Sequence, residues 1–310
     1  MRIGIIDCGT NTFNLLVSEE KKGVWTTVFK NEITVKLGQG GMSKGIIPPE
    51  RLARGMDALN IHYNALLNFH VKHVRVFATS ALRDAGNTYE FVKEAKARFN
   101  FDLQIIDGDR EAKLIFEGVK QTIELSDELV TVIDIGGGST EFIIGNKDGV
   151  KWKISLPLGV ERIFEFVQPS DPLTQEEIKR LYDYFSHMLS PLTKALKAFP
   201  SKTLIGSSGS FDTLFELYAR AHPSRIERRL SNPLPLDVFF ALHNKLLRAN
   251  RAERTVIPGM VPLRVDYIPL ATSLIEHLLK NYGFNHLIHS DYALKEGALQ
   301  EAAAELLSLE

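Results

Sequence analysis

The chain has 310 residues, and at roughly 100 to 200 residues per domain this length favours two domains. Hydrophobic residues make up 44% and charged residues 24% of the sequence, a globular composition that excludes general disorder. The formal net charge is -1, so the chain offers no basic excess for DNA or an anionic membrane. The single cysteine, Cys8, excludes an internal disulfide, and no apolar run is long enough for a signal peptide or a membrane span. We therefore expect a soluble, cytoplasmic protein without DNA or membrane partners.

Two segments of the sequence repeat one pattern. Ile3 to Ile6 is an apolar, β-branched run that stops at a polar turn, and a second extended run follows. Leu129 to Ile135 ends in the same way before a glycine-rich turn. A gap-free overlay places Asp7 on Asp134 and matches the glycine two positions later. This duplicated strand-turn-strand predicts two lobes built alike, each of which presents its turn to a shared interdomain cleft.

The remaining predicted elements alternate between strands and helices. In the first half we expect, in chain order, a helix over Pro48 to Phe69, a strand over Val71 to Ala78, a helix with Asn87 as its N-cap, a strand over Leu103 to Ile106 and a helix over Asp109 to Val119. The second half is more helical, with helices over Thr174 to Leu196, Phe211 to Ala221, Pro235 to Leu247, Tyr267 to Leu279 and Asp291 to Leu307, and short strands over Thr203 to Ile205 and Leu287 to His289. The alternation predicts an α/β fold, with one lobe of residues 1–122 plus 291–310 and a second of residues 123–290.

The glycine-rich turn of the second copy is a candidate anion site. It consists of Gly136, Gly137, Gly138, Ser139 and Thr140. Bare glycine backbone lets N–H groups approach an anion closely, and the hydroxyls add donors. The turn lacks the lysine of P-loop NTPases and does not open a helix as the dinucleotide fingerprint requires. A glycine-rich β-turn without a ligand is the alternative for this pattern alone.

Three carboxylates lie at the predicted strand ends. Asp7, Asp134 and Glu141 have apolar neighbours, which would make an unpaired charge costly. An oxygen-only set of this kind suits Mg²⁺ or another divalent cation, held by one or two carboxylates together with substrate phosphate. Hydrogen bonding to the turn backbone is the alternative, and it is more plausible for Asp7 than for the other two. The nine histidines show no zinc-binding pairing, so we expect no zinc site.

Arg83 and Glu111 are further candidates for the site. Arg83 is the long basic residue of a strand-to-helix connection, where ligands collect in open α/β sheets. Its guanidinium could bind phosphate, or it could form a plain surface ion pair with Asp84. Glu111 lies in the first turn of a predicted helix, where an acid also simply favours the helix dipole.

Seven ordered blocks of the sequence resemble the exopolyphosphatase/guanosine pentaphosphate phosphatase (Ppx/GppA) family of the actin-like superfamily. The blocks are IIDCGTNTF, ATSALRDAGN, DGDREAKLIFEGV, VIDIGGGSTEF, SLPLGVERI, VIPGMVPLRVDYI and SDYALKEGAL, and the resemblance runs from Met1 to about Gln300. It implies two actin-like lobes of ribonuclease H-like topology, Mg²⁺ dependence, and hydrolytic release of terminal phosphate from polyphosphate or guanosine pentaphosphate. It also implies the short, two-domain form, without the C-terminal domains of longer members.

The resemblance also implies roles for individual residues. Glu111 matches the catalytic glutamate, and Asp134 and Glu141 match the acids that hold the metal and order water, with Asp7 as a further candidate ligand. The implied phosphate-binding residues are Asn11, Thr12, Arg83, Gly136, Gly137, Gly138, Ser139 and Thr140. Distal phosphate or nucleotide contacts would fall to Gly206, Ser208, Gly209 and Lys295.

The sequence departs from the family pattern at two of these places. Gly206 to Ser210 reads GSSGS where the family has G-x-G-G-T, which puts contacts there in doubt. Lys295 replaces an arginine that is common in the family, and it supplies charge without a bidentate fork.

Two rival functions stay open at this point. One is an ATP-dependent sugar or acetate kinase of the same superfold, and the other is a non-hydrolytic sensor of guanosine tetraphosphate or pentaphosphate. The DGDREAKLI block argues against the kinase, and the intact acids argue against the sensor. The sequence does not separate polyphosphate from guanosine pentaphosphate, nor does it determine the oligomeric state, for which a homodimer is one option.

Overall fold

The computed structural model describes residues 1–223 and 227–308. The chain divides into two compact units, which we call unit 1 (residues 1–118 and 294–310) and unit 2 (residues 119–293). The boundaries expected from the sequence are 122/123 and 290/291. No helix among the described residues combines the length and the hydropathy that a membrane crossing requires.

Strands and helices alternate along the chain. The strands are β1 (Arg2–Cys8), β2 (Thr12–Lys21), β3 (Val24–Thr34), β4 (His73–Ala78), β5 (Leu103–Ile105), β6 (Val130–Ile135), β7 (Thr140–Asn146), β8 (Gly149–Leu156), β9 (Thr203–Ser207), β10 (Ser231–Pro233) and β11 (His286–Ser290). The α-helices are α1 (Pro49–Asn68), α2 (Ser80–Asp84), α3 (Tyr89–Phe99), α4 (Gly108–Val119), α5 (Val160–Val167), α6 (Gln175–Met188), α7 (Ser190–Ala198), α8 (Ser208–Ala221), α9 (Leu236–Arg248), α10 (Arg251–Thr255), α11 (Ile268–Tyr282) and α12 (Leu294–Leu307). Short 3₁₀ turns cover Met42–Lys44 and Pro262–Arg264.

Each unit contains one mixed sheet with the same strand order. In unit 1 the order is β3-β2-β1-β4-β5, and in unit 2 it is β8-β7-β6-β9-β11 with β10 added at the outer edge. The first three strands of each set are antiparallel neighbours, and the next strands run parallel to the first. This is the ribonuclease H-like topology, so the fold class expected from the sequence is confirmed.

The duplication holds at the level of single residues. Asp7 pairs with Asn14 across β1 and β2, and Asp134 pairs with Glu141 across β6 and β7. In both copies the first glycine of the turn closes it: the Gly9 N–H donates to the Thr12 carbonyl at 3.0 Å, and the Gly136 N–H donates to the Ser139 carbonyl at 3.0 Å. The gap-free overlay of the two sequence segments is therefore confirmed.

Two details of the predicted helices are wrong. The segment 174–196 forms two helices, α6 and α7, because the chain leaves the helical path at Leu189 and Pro191 then occupies the first turn of α7, where its missing N–H costs nothing. Asn87 does not cap α3, which begins at Tyr89 without a side-chain cap. The Asn87 side chain instead bonds to both backbone groups of Ile47, accepting from its N–H and donating to its carbonyl.

The core of unit 2 contains a histidine whose protonation is linked to folding. His243 on α9 is buried, and its Nδ1 lies 3.0 Å from the Thr272 hydroxyl. Burial lowers the pKa of His243 to about 4; nearby Glu276 raises it and nearby Lys280 lowers it. Because the unfolded chain takes up this proton near pH 6.5 and the folded chain only near pH 4, acid stabilises the unfolded state between those values.

We therefore expect the free energy of unfolding to fall as the pH drops from 6.5 towards 4. The His243 contribution amounts to about 2 to 3 kcal/mol by pH 4.5. Denaturant unfolding at pH 7 and at pH 4.5 measures it, with His243→Gln as the comparison. The variant should lose about 2 kcal/mol less than the parent protein over this range. Equal losses would show that His243 is not the linked group.

Candidate functional site

The glycine turn of unit 2 is held by its carbonyl groups. The N–H groups of Val160 and Glu161, at the start of α5, donate to the carbonyls of Gly136 and Gly137 at 3.0 and 2.8 Å. The Arg162 Nε donates to the next carbonyl, that of Gly138, at 2.9 Å. Three successive carbonyls are thus turned towards α5.

This arrangement leaves the other side of the peptide groups for a ligand. Among the described residues, the N–H groups of Gly137, Gly138 and Ser139 donate to no protein acceptor. Consecutive backbone N–H groups without an internal acceptor form the concave nest that binds anions in many proteins. The geometry therefore suits a phosphate group, as the sequence predicts for residues 136–140.

Close packing behind the turn depends on Gly159. A Cβ atom at this position would overlap the backbone of Gly137 and Gly138, and backbone cannot move aside as a flexible side chain can. We expect Gly159→Ala to lower the free energy of unfolding by about 1 to 3 kcal/mol. Gly86→Ala is the control, because its Cβ would meet nothing closer than 3.9 Å and its φ is not positive. Denaturant unfolding of both variants checks this, and an unaffected Gly159→Ala protein would contradict it.

Two buried carboxylates lie directly beside this turn. Asp134 is the penultimate residue of β6 and is 6% exposed, and its cross-strand partner Glu141 is 1% exposed. The Glu141 Oε1 accepts from the Ser155 hydroxyl at 2.6 Å. Like charges directly opposite each other destabilise a sheet. An oxygen-only pair next to an anion-binding turn fits a divalent cation such as Mg²⁺.

The altered GSSGS block contributes to the acid pair. The Ser208 hydroxyl donates to the Asp134 Oδ2 at 2.5 Å, and the Ser207 hydroxyl lies 3.4 Å from the same atom. Ser208 has a φ of +65°, which a non-glycine residue adopts at a cost. Gly209 follows at the start of α8, packed against the guanidinium of Arg264, and Gly206 packs against the Phe211 ring. The serine expected to make a distal substrate contact therefore orients a carboxylate of the candidate metal site.

The turn of unit 1 is built in the same way. The Asn11 carbonyl accepts from the N–H groups of Val35 and Lys36 at 2.9 and 3.0 Å, and the Thr10 carbonyl accepts from Gly38 at 3.3 Å. The Asn11 side chain is 4% exposed, and neither of its amide atoms has a hydrogen-bond partner in the described part of the chain. Thr12 is also buried, and its hydroxyl accepts from Asn14. A buried amide without partners fits the phosphate contact that the family resemblance implies for Asn11.

Asp7 lies near the end of β1, where its cross-strand partner is Asn14 rather than a second acid. Burial raises the pKa of Asp7 to about 6; nearby Lys295 lowers it, and Glu296 and Glu32 raise it. Lys295, expected as a distal phosphate contact, belongs to unit 1 and lies within the electrostatic reach of Asp7.

Glu111 and Arg83 form an ion pair that the sequence did not reveal. Glu111 is 7% exposed and lies in the first turn of α4. Its Oε2 accepts from the Arg83 Nη1 at 2.7 Å, and the same Nη1 donates to the Ile106 carbonyl at 3.1 Å. The Arg83 Nε also lies 3.5 Å from Asp84. The guanidinium therefore holds the Glu111 carboxylate in place in addition to the ion pair with Asp84 considered above.

A second cluster in unit 2 has metal-ligand chemistry. One ligand atom each of Asp212, His289 and Asp291 lie within 4.8 Å of one another. The His289 Nε2 is 2.8 Å from the Asp212 Oδ1, and its ring stacks on Phe215. The buried Nδ1 has no partner among the described residues, whereas a metal-bound imidazole usually donates that proton to an acceptor. We assign Asp212 and His289 as a hydrogen-bonded pair rather than as metal ligands.

Several contributors to the site escaped the sequence reasoning. Arg162 and Glu161 lie in the recognised SLPLGVERI block, yet that pattern does not show which carbonyl each one binds. Glu161 is also fixed by Tyr267, whose hydroxyl donates to its Oε2 at 2.5 Å. Burial and the adjacent Glu161 carboxylate raise the pKa of Tyr267 far above its usual range, so Tyr267 stays a donor. The signal for Tyr267 lies in the VPLRVDYI block, which is distant in sequence.

The duplicated topology and the two strand-connecting turns define an actin-like α/β protein with a candidate phosphate site. The model of the Ppx/GppA phosphatase family matches residues 16–305 of the chain, and the protein belongs to that family. It is 26% identical over 301 residues to a guanosine-5'-triphosphate,3'-diphosphate pyrophosphatase of Photobacterium profundum, a match that covers 97% of this chain and 59% of that protein. A similarly named protein of Aeromonas hydrophila is 27% identical, with 95% of this chain and 58% of that protein covered. The chain thus spans about three fifths of the length of these curated relatives.

Solved structures match over the whole chain. The crystal structure of an exopolyphosphatase from Cytophaga hutchinsonii is 39% identical, with a TM-score of 0.95 and 98% of each chain covered. A Ppx-GppA enzyme of Aquifex aeolicus is 26% identical, with a TM-score of 0.81, and 97% of this chain and 99% of that chain are covered. The fold and the family expected from the sequence are therefore confirmed.

Proposed function

We propose that the protein is a metal-assisted phosphohydrolase that releases terminal phosphate from inorganic polyphosphate, from guanosine pentaphosphate, or from both. The observation that carries this proposal is the buried acid pair of Asp134 and Glu141 beside a turn with three available N–H groups. The names of its relatives support it, because they include an exopolyphosphatase and guanosine-5'-triphosphate,3'-diphosphate pyrophosphatases. We also propose a cytoplasmic location, where both substrates would be accessible.

Each group would have a distinct role. The turns at residues 9–12 and 136–140 would bind phosphoryl oxygens together with Arg83, which would also position Glu111. Glu111 would accept a proton from the attacking water as the water oxygen bonds to the terminal phosphorus. The bond from that phosphorus to the bridging oxygen would break, and the shortened polyphosphate or guanosine tetraphosphate would leave. A divalent cation held by Asp134 and Glu141, with Asp7 as a further candidate ligand, would neutralise charge on the phosphoryl oxygens.

Phosphate release assays test the proposal directly. Long polyphosphate, short polyphosphate, guanosine pentaphosphate and ATP are offered in parallel, each with Mg²⁺ and with excess chelator. We expect release from polyphosphate or guanosine pentaphosphate with Mg²⁺ and its loss in chelator. Full activity in chelator would contradict the metal role. Binding without release would favour the sensor, and transfer of phosphate from ATP to an organic acceptor would favour the kinase.

A further inference from the structure

Lys36 occupies an unusual backbone position beside the unit 1 turn. Its φ is +48°, in the left-handed region where glycine and asparagine are favoured and a long side chain costs free energy. The Lys36 N–H donates to the Asn11 carbonyl at 3.0 Å, which fixes the lysine backbone against the turn. This contact places Lys36 directly beside the turn that carries Asn11.

The charge of Lys36 has no partner in the part of the chain that the structure describes. Across residues 1–223 and 227–308, the Lys36 ammonium has neither an ion-pair nor a hydrogen-bond partner. The nearby Asn11 side chain likewise has two buried polar atoms without partners. A cation and an amide donor that both lack partners, next to one turn, match the requirements of an anionic oxygen.

The duplicated fold places a basic residue in the corresponding segment of unit 2, where it serves a protein contact. In unit 2 the segment after β8 binds the turn carbonyls and carries the basic residue Arg162, whose Nε bonds to Gly138. In unit 1 the segment after β3 binds the turn carbonyls in the same way and carries Lys36. Each copy therefore has a long basic residue in the segment that donates hydrogen bonds to the carbonyl groups of its turn.

We infer that Lys36 is a substrate-binding residue, whose ammonium neutralises a phosphoryl oxygen of the polyanionic substrate beside Asn11. The inference rests on the proposed function and adds a cation from unit 1 to the phosphate-binding residues. Lys36 touches substrate without taking part in proton transfer, so it should affect substrate affinity more than turnover.

The test uses three variants of the full chain. Lys36→Asn removes the charge and keeps a residue that tolerates left-handed backbone, and Lys36→Arg keeps the charge. Lys22→Asn is the matched control, because Lys22 is an exposed lysine with a φ of +56° in the turn between β2 and β3. Steady-state kinetics with polyphosphate and guanosine pentaphosphate are measured at several salt concentrations, together with the thermal midpoint.

We expect Lys36→Asn to raise KM about 10-fold, to change kcat less than about twofold and to weaken the salt dependence of KM. The thermal midpoint should stay the same or rise, and Lys36→Arg and Lys22→Asn should keep a KM within about threefold of the parent protein. A parental KM for Lys36→Asn, or an equal rise for Lys22→Asn, would overturn the inference. A parent protein that releases no phosphate from either substrate would instead refute the proposed function.

Discussion

Glu111→Gln is expected to lower phosphate release by about 10²-fold or more while substrate affinity changes much less. Glutamine keeps the size of the side chain and an oxygen that can accept from Arg83, but it cannot take the proton from water. The carboxylate is 7% exposed and anchored at 2.7 Å by Arg83, so it is held ready for one position of the attacking water. Initial rates and KM on polyphosphate and guanosine pentaphosphate measure the effect.

A matched variant separates catalysis from helix stability. Glu117→Gln makes the same change further along α4, and it should keep near-normal turnover. Loss of the charged partner of Arg83 should cost Glu111→Gln about 1 to 3 kcal/mol of unfolding free energy, so rates are compared well below its thermal midpoint. Near-normal turnover of Glu111→Gln would show that another residue is the base.

Asp134→Asn is expected to abolish turnover, with a fall of about 10³-fold or more, and to remove the stabilisation of the protein by Mg²⁺. A cation that binds only the folded protein raises its thermal midpoint. Because the Asp134 carboxylate is proposed to bind this cation, its removal should remove the increase. In chelator the free energy of unfolding of the variant should lie within about 2 kcal/mol of that of the parent protein, because the substitution removes one charge from a buried pair of like charges.

The control for this change is Asp127→Asn. Asp127 lies in the same unit, and its side chain is 82% exposed in an ion pair with Lys147. This variant should keep both turnover and the response to Mg²⁺. If Asp134→Asn still gained stability from Mg²⁺ as the parent protein does, the acid pair would not be the cation site.

Local sequence patterns predicted the turns and the acids because each lies within a few residues of a buried strand. Edge strands were harder to predict. No residue of β3 is fully buried, and in β8 only Leu156 is, so their hydrophobic alternation is weak. The contacts that hold the site in place were missed for a different reason. Tyr267 and Glu161 are 106 residues apart in sequence, and such a contact leaves no local pattern. The shared cleft for the two turns stays a prediction.

One paired position distinguishes the two copies of the turn. Asn14 in unit 1 donates its amide to the Thr12 hydroxyl at 3.1 Å, so that hydroxyl keeps its own proton for an outside acceptor. Glu141, at the equivalent position in unit 2, can only accept hydrogen bonds, and it accepts one from the Ser155 hydroxyl. The residue at this paired position is therefore a hydrogen-bond donor in unit 1 and an acceptor in unit 2. On the proposed function, the Thr12 hydroxyl would supply a hydrogen-bond donor for a phosphoryl oxygen, and Glu141 would supply negative charge for a cation.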